Sequence, residues 1–107
     1  EEFMKSWARK TAGWVKNANG WWYRREDGSY PFDKWCVINR HWYLFNKDGY
    51  MCTSWHRWNG SRCDPEDGSG DWYYFDPTEG GPLEGACWHS RENGSMEIWE
   101  VDLEDKI

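Results

Sequence analysis

Six tryptophans in this chain stand where side-chain type and spacing could do chemistry. Trp14 is followed by Trp21 and Trp35 by Trp42, each pair seven residues apart. Trp55 opens a third copy that resumes, after an insertion, at Trp72. Seven residues beyond each second tryptophan comes Gly28, Gly49 or Glu79, within Asp27-Gly28, Asp48-Gly49 and Glu79-Gly80. Indole faces attract cations, and a desolvated contact contributes about 1–2 kcal/mol. Regularly placed rings can therefore make a row of identical aromatic sites. The opening tryptophans lie 21 and then 20 residues apart, and such a period marks a repeat protein.

The elements that position these rings read as β-hairpins. Trp14-Val15-Lys16 leads through the turn Asn17-Ala18-Asn19-Gly20 to Trp21-Trp22-Tyr23-Arg24. Trp35-Cys36-Val37-Ile38 leads through Asn39-Arg40-His41 to Trp42-Tyr43-Leu44-Phe45. Aromatic and β-branched runs flanking such turns are a strong hairpin signature. The third copy, Trp55-His56-Arg57-Trp58, is interrupted by a polar, turn-rich surface excursion and resumes as Trp72-Tyr73-Tyr74-Phe75. The repeats span 13–33, 34–53 and 54–86, with the insertion over 58–71, followed by a degenerate cap over 87–107. Residues 1–12 read as a linker or the end of a preceding repeat, where Phe3, Met4 and Trp7 have the spacing of a short helix. An isolated hairpin is marginal in water. The fold class expected is all-β, a solenoid of three to four stacked hairpins with room for a short N-terminal helix.

Composition narrows the function. Only nine residues are Leu, Ile or Val against 11 Trp, so the core must be built largely of rings. A net charge of −6 argues against nucleic acid, which is bound by Lys and Arg. No apolar run reaches membrane-span length, and no signal peptide is visible, so the Glu1-Glu2 start reads as a mature or trimmed boundary. An acidic surface with many rings suits a cationic or sugar-like ligand. His41, His56 and His89 stand singly, and Glu1-Glu2, Glu26-Asp27 and Glu104-Asp105 read as solvated charge, so catalysis is not expected. No cofactor is implied.

Cys36, Cys52, Cys63 and Cys87 suggest two disulfides and an oxidising compartment. Sequence leaves three connectivities open. Nearest-neighbour contact in a solenoid favours Cys36–Cys52 with Cys63–Cys87 and disfavours Cys36–Cys87. The absence of a Cys-x-x-Cys pair argues against structural zinc. Asp64 to Asp71 clusters carboxylates without calcium-loop spacing, so no metal is expected.

Gly13-Trp14-Val15-Lys16-Asn17, Asn19-Gly20-Trp21-Trp22-Tyr23, Trp42-Tyr43-Leu44-Phe45-Asn46-Lys47-Asp48-Gly49-Tyr50-Met51 and Trp72-Tyr73-Tyr74-Phe75-Asp76 resemble choline-binding, or cell-wall-binding, repeats. The resemblance covers about residues 12–88. It departs from the family in its four cysteines, in Lys34 and Ser54 before the second and third opening tryptophans, and in Tyr30 and Leu83 at the closing-methionine position.

The resemblance implies a non-catalytic module anchoring a secreted bacterial or phage protein, for instance a cell-wall hydrolase, to choline or phosphocholine on teichoic acid of a Gram-positive wall. It implies an extracellular, wall-associated location. It also implies aromatic cages between hairpins: Trp14, Trp21 and Trp42 with Tyr30 nearby, and Trp35, Trp42 and Trp72 with Met51 nearby. Tyr43 or Tyr74 are the alternatives for the third wall. Related repeats bind glucan-type polysaccharides, which leaves a carbohydrate module as the alternative. A structural or adhesin repeat with its rings wholly in the core is another.

Overall fold

A computed structural model describes residues 12–107; the expected N-terminal helix lies outside the described residues. The elements are β1 (Gly13–Asn17), β2 (Gly20–Arg24), β3 (Lys34–Ile38), β4 (His41–Phe45), β5 (Ser54–Trp58), β6 (Asp71–Phe75), β7 (Trp88–Ser90) and β8 (Met96–Ile98). Each consecutive pair forms one antiparallel hairpin, giving four two-stranded sheets among the described residues. The all-β reading holds. In the β3–β4 loop Asn39 and Arg40 have φ of 51° and 69°, the paired positive values that match a two-residue turn to strand twist. Elsewhere a side-chain oxygen fixes the turn, as where Asn17 Oδ1 accepts the Asn19 N–H at 2.8 Å.

One further turn recurs after β2, β4 and β7. Arg25 N–H donates to Ser29 O, Asn46 N–H to Tyr50 O and Arg91 N–H to Ser95 O, at 2.8, 2.9 and 2.7 Å. Gly28, Gly49 and Gly94 occupy the same corner with φ of 89°, 89° and 87°, a conformation that glycine adopts without steric cost. After β4 the turn brings Met51 back beside Phe45, and the longer loop after β6 brings Cys87 back beside Phe75. Each returning residue then reaches the preceding hairpin. Met51 N–H donates to Trp21 O at 2.8 Å, and Cys87 N–H to Trp42 O at 2.9 Å. The closing position of the third repeat is therefore Cys87, not Leu83. Residues 77–85 enlarge that turn and displace the register read from sequence.

Packing follows the pleat. Successive strand residues point to opposite faces, so Tyr43 and Phe45 join Tyr23, Cys36 and Ile38 in one buried cluster, against which Trp14 packs. Leu44 joins Cys52, Cys63, Phe75 and Cys87 in a second cluster, flanked by Trp35, Trp42 and Tyr73. Hairpin β3–β4 thus buries both faces, one towards β1–β2 and the other towards β5–β6.

The cap region does more than close one end. Beyond β8 the chain runs back over β3, where Val37 and Lys106 exchange N–H···O bonds of 3.0 and 2.8 Å and Val101 N–H reaches Arg40 O at 2.8 Å. Arg25 Nε–H donates to Ile107 O at 3.2 Å, so the tail touches the first repeat as well. The nearest-neighbour rule of a simple solenoid is broken here. The exposed backbone of β3 is satisfied by this strap, and Val37 is fully enclosed.

Phe45 and Phe75 are among the largest fully buried side chains. Phe45→Ala is expected to cost about 3–5 kcal/mol of unfolding free energy, measured by urea titration. Phe32→Ala, at a ring 58% exposed, is expected to stay within about 0.5 kcal/mol.

Candidate aromatic ligand site

Where hairpins β1–β2 and β3–β4 meet, four rings converge on Trp14. Trp21 stands edge-on at 6.5 Å and 87°, Tyr23 at 5.4 Å and 90°, and Tyr43 at 5.0 Å and 66°, while Phe45 stacks beneath at 5.7 Å and 28°. Between Trp14, Trp21 and Tyr43 lies a cavity of about 180 Å³, lined also by Met51, Gly80, Gly81, Pro82 and Glu84. Met51 is placed there by its bond to Trp21 O. The third repeat contributes the loop, in which Gly80 N–H holds Glu84 Oε1 at 3.1 Å. Burial raises the Tyr43 phenol above its ordinary pKa, which keeps this wall neutral.

The cavity gathers only part of the first expected set. Trp14, Trp21 and Met51 are in it, Tyr43 replaces Trp42 as the third wall, and Tyr30 is elsewhere. Trp42 cannot serve both interfaces, because its side chain leaves β4 on the face opposite Tyr43. It packs instead edge-on against Trp35 at 6.1 Å and 84°, with Trp99 at 6.1 Å. Tyr30 leans on Trp22 at 5.8 Å and Phe32 at 6.0 Å, beside a separate cleft formed with Asn17, Asp48 and Tyr50.

The second expected set follows the same parity. Trp35 meets Trp42 and, at 5.0 Å and 75°, Tyr73, so Tyr73 stands where Tyr43 stands in the first. Trp72 faces away, 55% exposed, with the Arg57 guanidinium 4.5 Å over its ring. Met51 belongs to the first set rather than the second. Trp55 is equally exposed and rests on Tyr74 at 4.9 Å.

The cysteines are arranged otherwise than expected. All four are free thiols. Cys36 lies in the first core cluster, away from Cys52, Cys63 and Cys87 in the second, because the pleat turns Cys36 towards hairpin β1–β2. Cys52 and Cys63 meet, with sulfurs 3.5 Å apart. His56 is not a lone histidine: Nδ1 lies 2.6 Å from Asp64 Oδ2, and Nε2 lies 2.9 Å from Thr53 O. The Cys52 hydrogen bond and then His56 lower the Cys63 thiol to about 7, against burial, while Cys63 and then Asp64 raise His56 to about 9. Burial alone pushes Cys87 up to about 12. A Cys–His–Asp order of contacts also occurs in thiol nucleophiles. Cys63, however, is only 6% exposed, and its sulfur lies against Cys52. No pairwise spacing in the sequence announced this cluster; it forms because an insertion doubles back.

The sequence pattern of the cell wall binding repeat family matches residues 12–30, 38–51 and 66–79. Trp14, Trp21, Tyr43 and Met51 all fall within matched segments. A lysin of Pneumococcus phage Dp-1 is 46% identical over 46 residues, covering 41% of this chain and 16% of that protein. A lysozyme of Streptococcus phage Cp-1 is 56% identical over 27 residues, covering 24% of this chain and 8% of that protein. The chain therefore spans about a sixth or less of these curated relatives. Among solved structures, the modular Cpl-1 endolysin complexed with a peptidoglycan analogue aligns with a TM-score of 0.43 and 26% identity, over 84% of this chain and 32% of that one. The multimodular pneumococcal cell wall endolysin from phage Cp-1 complexed with choline aligns with a TM-score of 0.35 and 25% identity, over 83% and 32%.

Gly85 fixes the floor of the cavity. Its φ is +83°, and a Cβ there would overlap the Met51 sulfur and lie 2.6 Å from Met51 Cγ. Gly85→Ala is expected to displace Met51 and to destabilise the chain by more than about 1 kcal/mol. A lowered melting temperature, with altered near-ultraviolet dichroism from Trp14 and Trp21, would report it.

Proposed function

We infer, from its membership of the cell wall binding repeat family and from the cavity it builds, that this chain is a non-catalytic anchoring module whose ligand is choline. The observation that carries the reading is the open-sided cavity lined by Trp14, Trp21 and Tyr43, with Met51 and Glu84 on its wall. A quaternary ammonium has no hydrogen to donate, so only ring faces, apolar contact and a nearby negative charge can hold it. The site supplies all three. About 180 Å³ is small beside the roughly 300–1,000 Å³ of sites for drug-sized ligands, and suits a compact cation.

Three ring contacts of about 1–2 kcal/mol each sum to about 3–6 kcal/mol before the cost of association is taken off, so the site is weak, millimolar at best. Weak sites suffice when the ligand is a polymer. Trp35, Trp42 and Tyr73 repeat the ring arrangement one hairpin on and supply a second site. Simultaneous engagement then raises avidity without any new contact. Choline or phosphocholine on teichoic acid of a Gram-positive wall is such a polymer. Since the relatives are a phage lysin and a phage lysozyme, the parent protein is read as a cell-wall hydrolase acting outside the cell, with this chain as its targeting part.

A glucan-binding reading is favoured by one feature, the 55% exposed face of Trp55. Retention on a glucan column that choline does not relieve, and that Trp55→Ala abolishes, would select it.

Choline titrated against tryptophan fluorescence is expected to saturate in the millimolar range. Trp14→Ala and Tyr43→Ala should weaken the response at least tenfold, whereas Trp72→Ala should leave it unchanged. The neutral isostere 3,3-dimethylbutan-1-ol should bind more weakly than choline. A flat titration to tens of millimolar would sink the reading.

A further inference from the structure

The junction between the second and third repeats gathers a set of ligand atoms that choline recognition does not use. Cys52 arrives on the segment that returns beside β4, where its N–H is held by Leu44 O at 2.9 Å. His56 stands on β5. Cys63 is brought back by the insertion, bridged to Trp58 and with its N–H held by Asp33 Oδ1 at 3.0 Å. Three separate backbone anchors thus gather one sulfur, one imidazole and a second sulfur, with one ligand atom from each lying within 4.8 Å of the others.

We propose that Cys52, His56 and Cys63 form a tetrahedral site for a thiophilic divalent cation, zinc above all, which staples the insertion to the hairpins beside it. A tetrahedral zinc with thiolate bonds of about 2.3 Å spaces its sulfurs about 3.8 Å apart; the sulfurs here are 3.5 Å apart. The donor set of two thiols and one imidazole is the soft set that selects zinc over calcium or magnesium. Supporting partners for the imidazole are in place. One ring nitrogen is bonded to Asp64 Oδ2 and the other to Thr53 O. Whichever of them takes the metal, the other keeps an oxygen acceptor that orients the ring. Asp64 is itself fixed, since its Oδ1 accepts the Arg57 N–H at 2.9 Å, and its Oδ2 lies 3.6 Å from the Cys63 sulfur, beside the fourth coordination position.

Binding forms two metal–sulfur bonds and one metal–nitrogen bond. Every proton held on the two thiols and on the imidazole leaves to solvent, so one cation enters and two or three protons leave. The consequence is mechanical. Cys52 lies on the segment returning beside β4, His56 on β5 and Cys63 on the insertion, and one ion would cross-link all three.

Cobalt(II), a coloured substitute for zinc, tests the site on the whole 107-residue chain kept reduced with a phosphine. One cobalt per chain is expected, with tetrahedral visible bands and a thiolate charge-transfer band, both bleached by zinc. Between two and three protons should be released per metal in weakly buffered solution. Cys52→Ser, Cys63→Ser and the milder His56→Gln should each weaken uptake at least tenfold, while Cys87→Ser, in the same core cluster, should not. Near-ultraviolet dichroism identifies any variant that fails to fold, and the wild-type spectrum stands without them. The proposal is overturned if reduced wild type gives no charge-transfer band or if folded Cys52→Ser and Cys63→Ser bind as well as wild type. It is also overturned if reduced protein refuses cobalt while peptide mapping of air-oxidised protein recovers a Cys52–Cys63 disulfide.

Discussion

Everything in this molecule depends on hairpin β3–β4 having to bury both of its faces. With so few branched aliphatic residues, no single hairpin can enclose a core, and a two-stranded sheet alone is marginal in water. The β3–β4 hairpin lends Tyr43 and Phe45 to one neighbour and Trp42 and Leu44 to the other. The pleat makes that division absolute, since no strand residue can serve both sides. Two lone backbone bonds, Met51 to Trp21 and Cys87 to Trp42, set how far each hairpin stands from the one before it.

The aromatic cavity is a by-product of that spacing. Trp14 packs on Phe45 and Tyr23 as any core ring would, and the space left between Trp14, Trp21 and Tyr43 is what the returning Met51 and the third-repeat loop do not fill. The proposed binding site is an interface left partly open. Its rings are held rigid by the same contacts that stabilise the stack, so a small ligand meets preorganised walls. The sulfur cluster one interface further on is made in the same way, from a returning segment, a strand and an insertion that doubles back.

Much of the fold was legible in the chain. The period near 20 residues, the Asn and Gly turns and the blocks of aromatics are local signals, and they place the first three hairpins. The choice of Tyr43 over Trp42, and of Tyr73 over Trp72, was not legible from ring spacing, because a tryptophan looks the better wall until its parity relative to its neighbour is known. Tyr30 was misplaced for a related reason: it leans on Trp22, which leaves β2 on the face opposite Trp21.

By itself, then, the sequence determined that the chain is a series of aromatic hairpins closed by glycine turns, since periodicity and turn chemistry act within a few residues. Only the tertiary structure decided which rings face one another, which residue closes the third repeat, which cysteines meet, and that residues 99–107 fold back over β3. Those outcomes depend on contacts between segments far apart in the chain. There a shift of one residue turns a side chain to the opposite face, and a loop of variable length decides which residue returns.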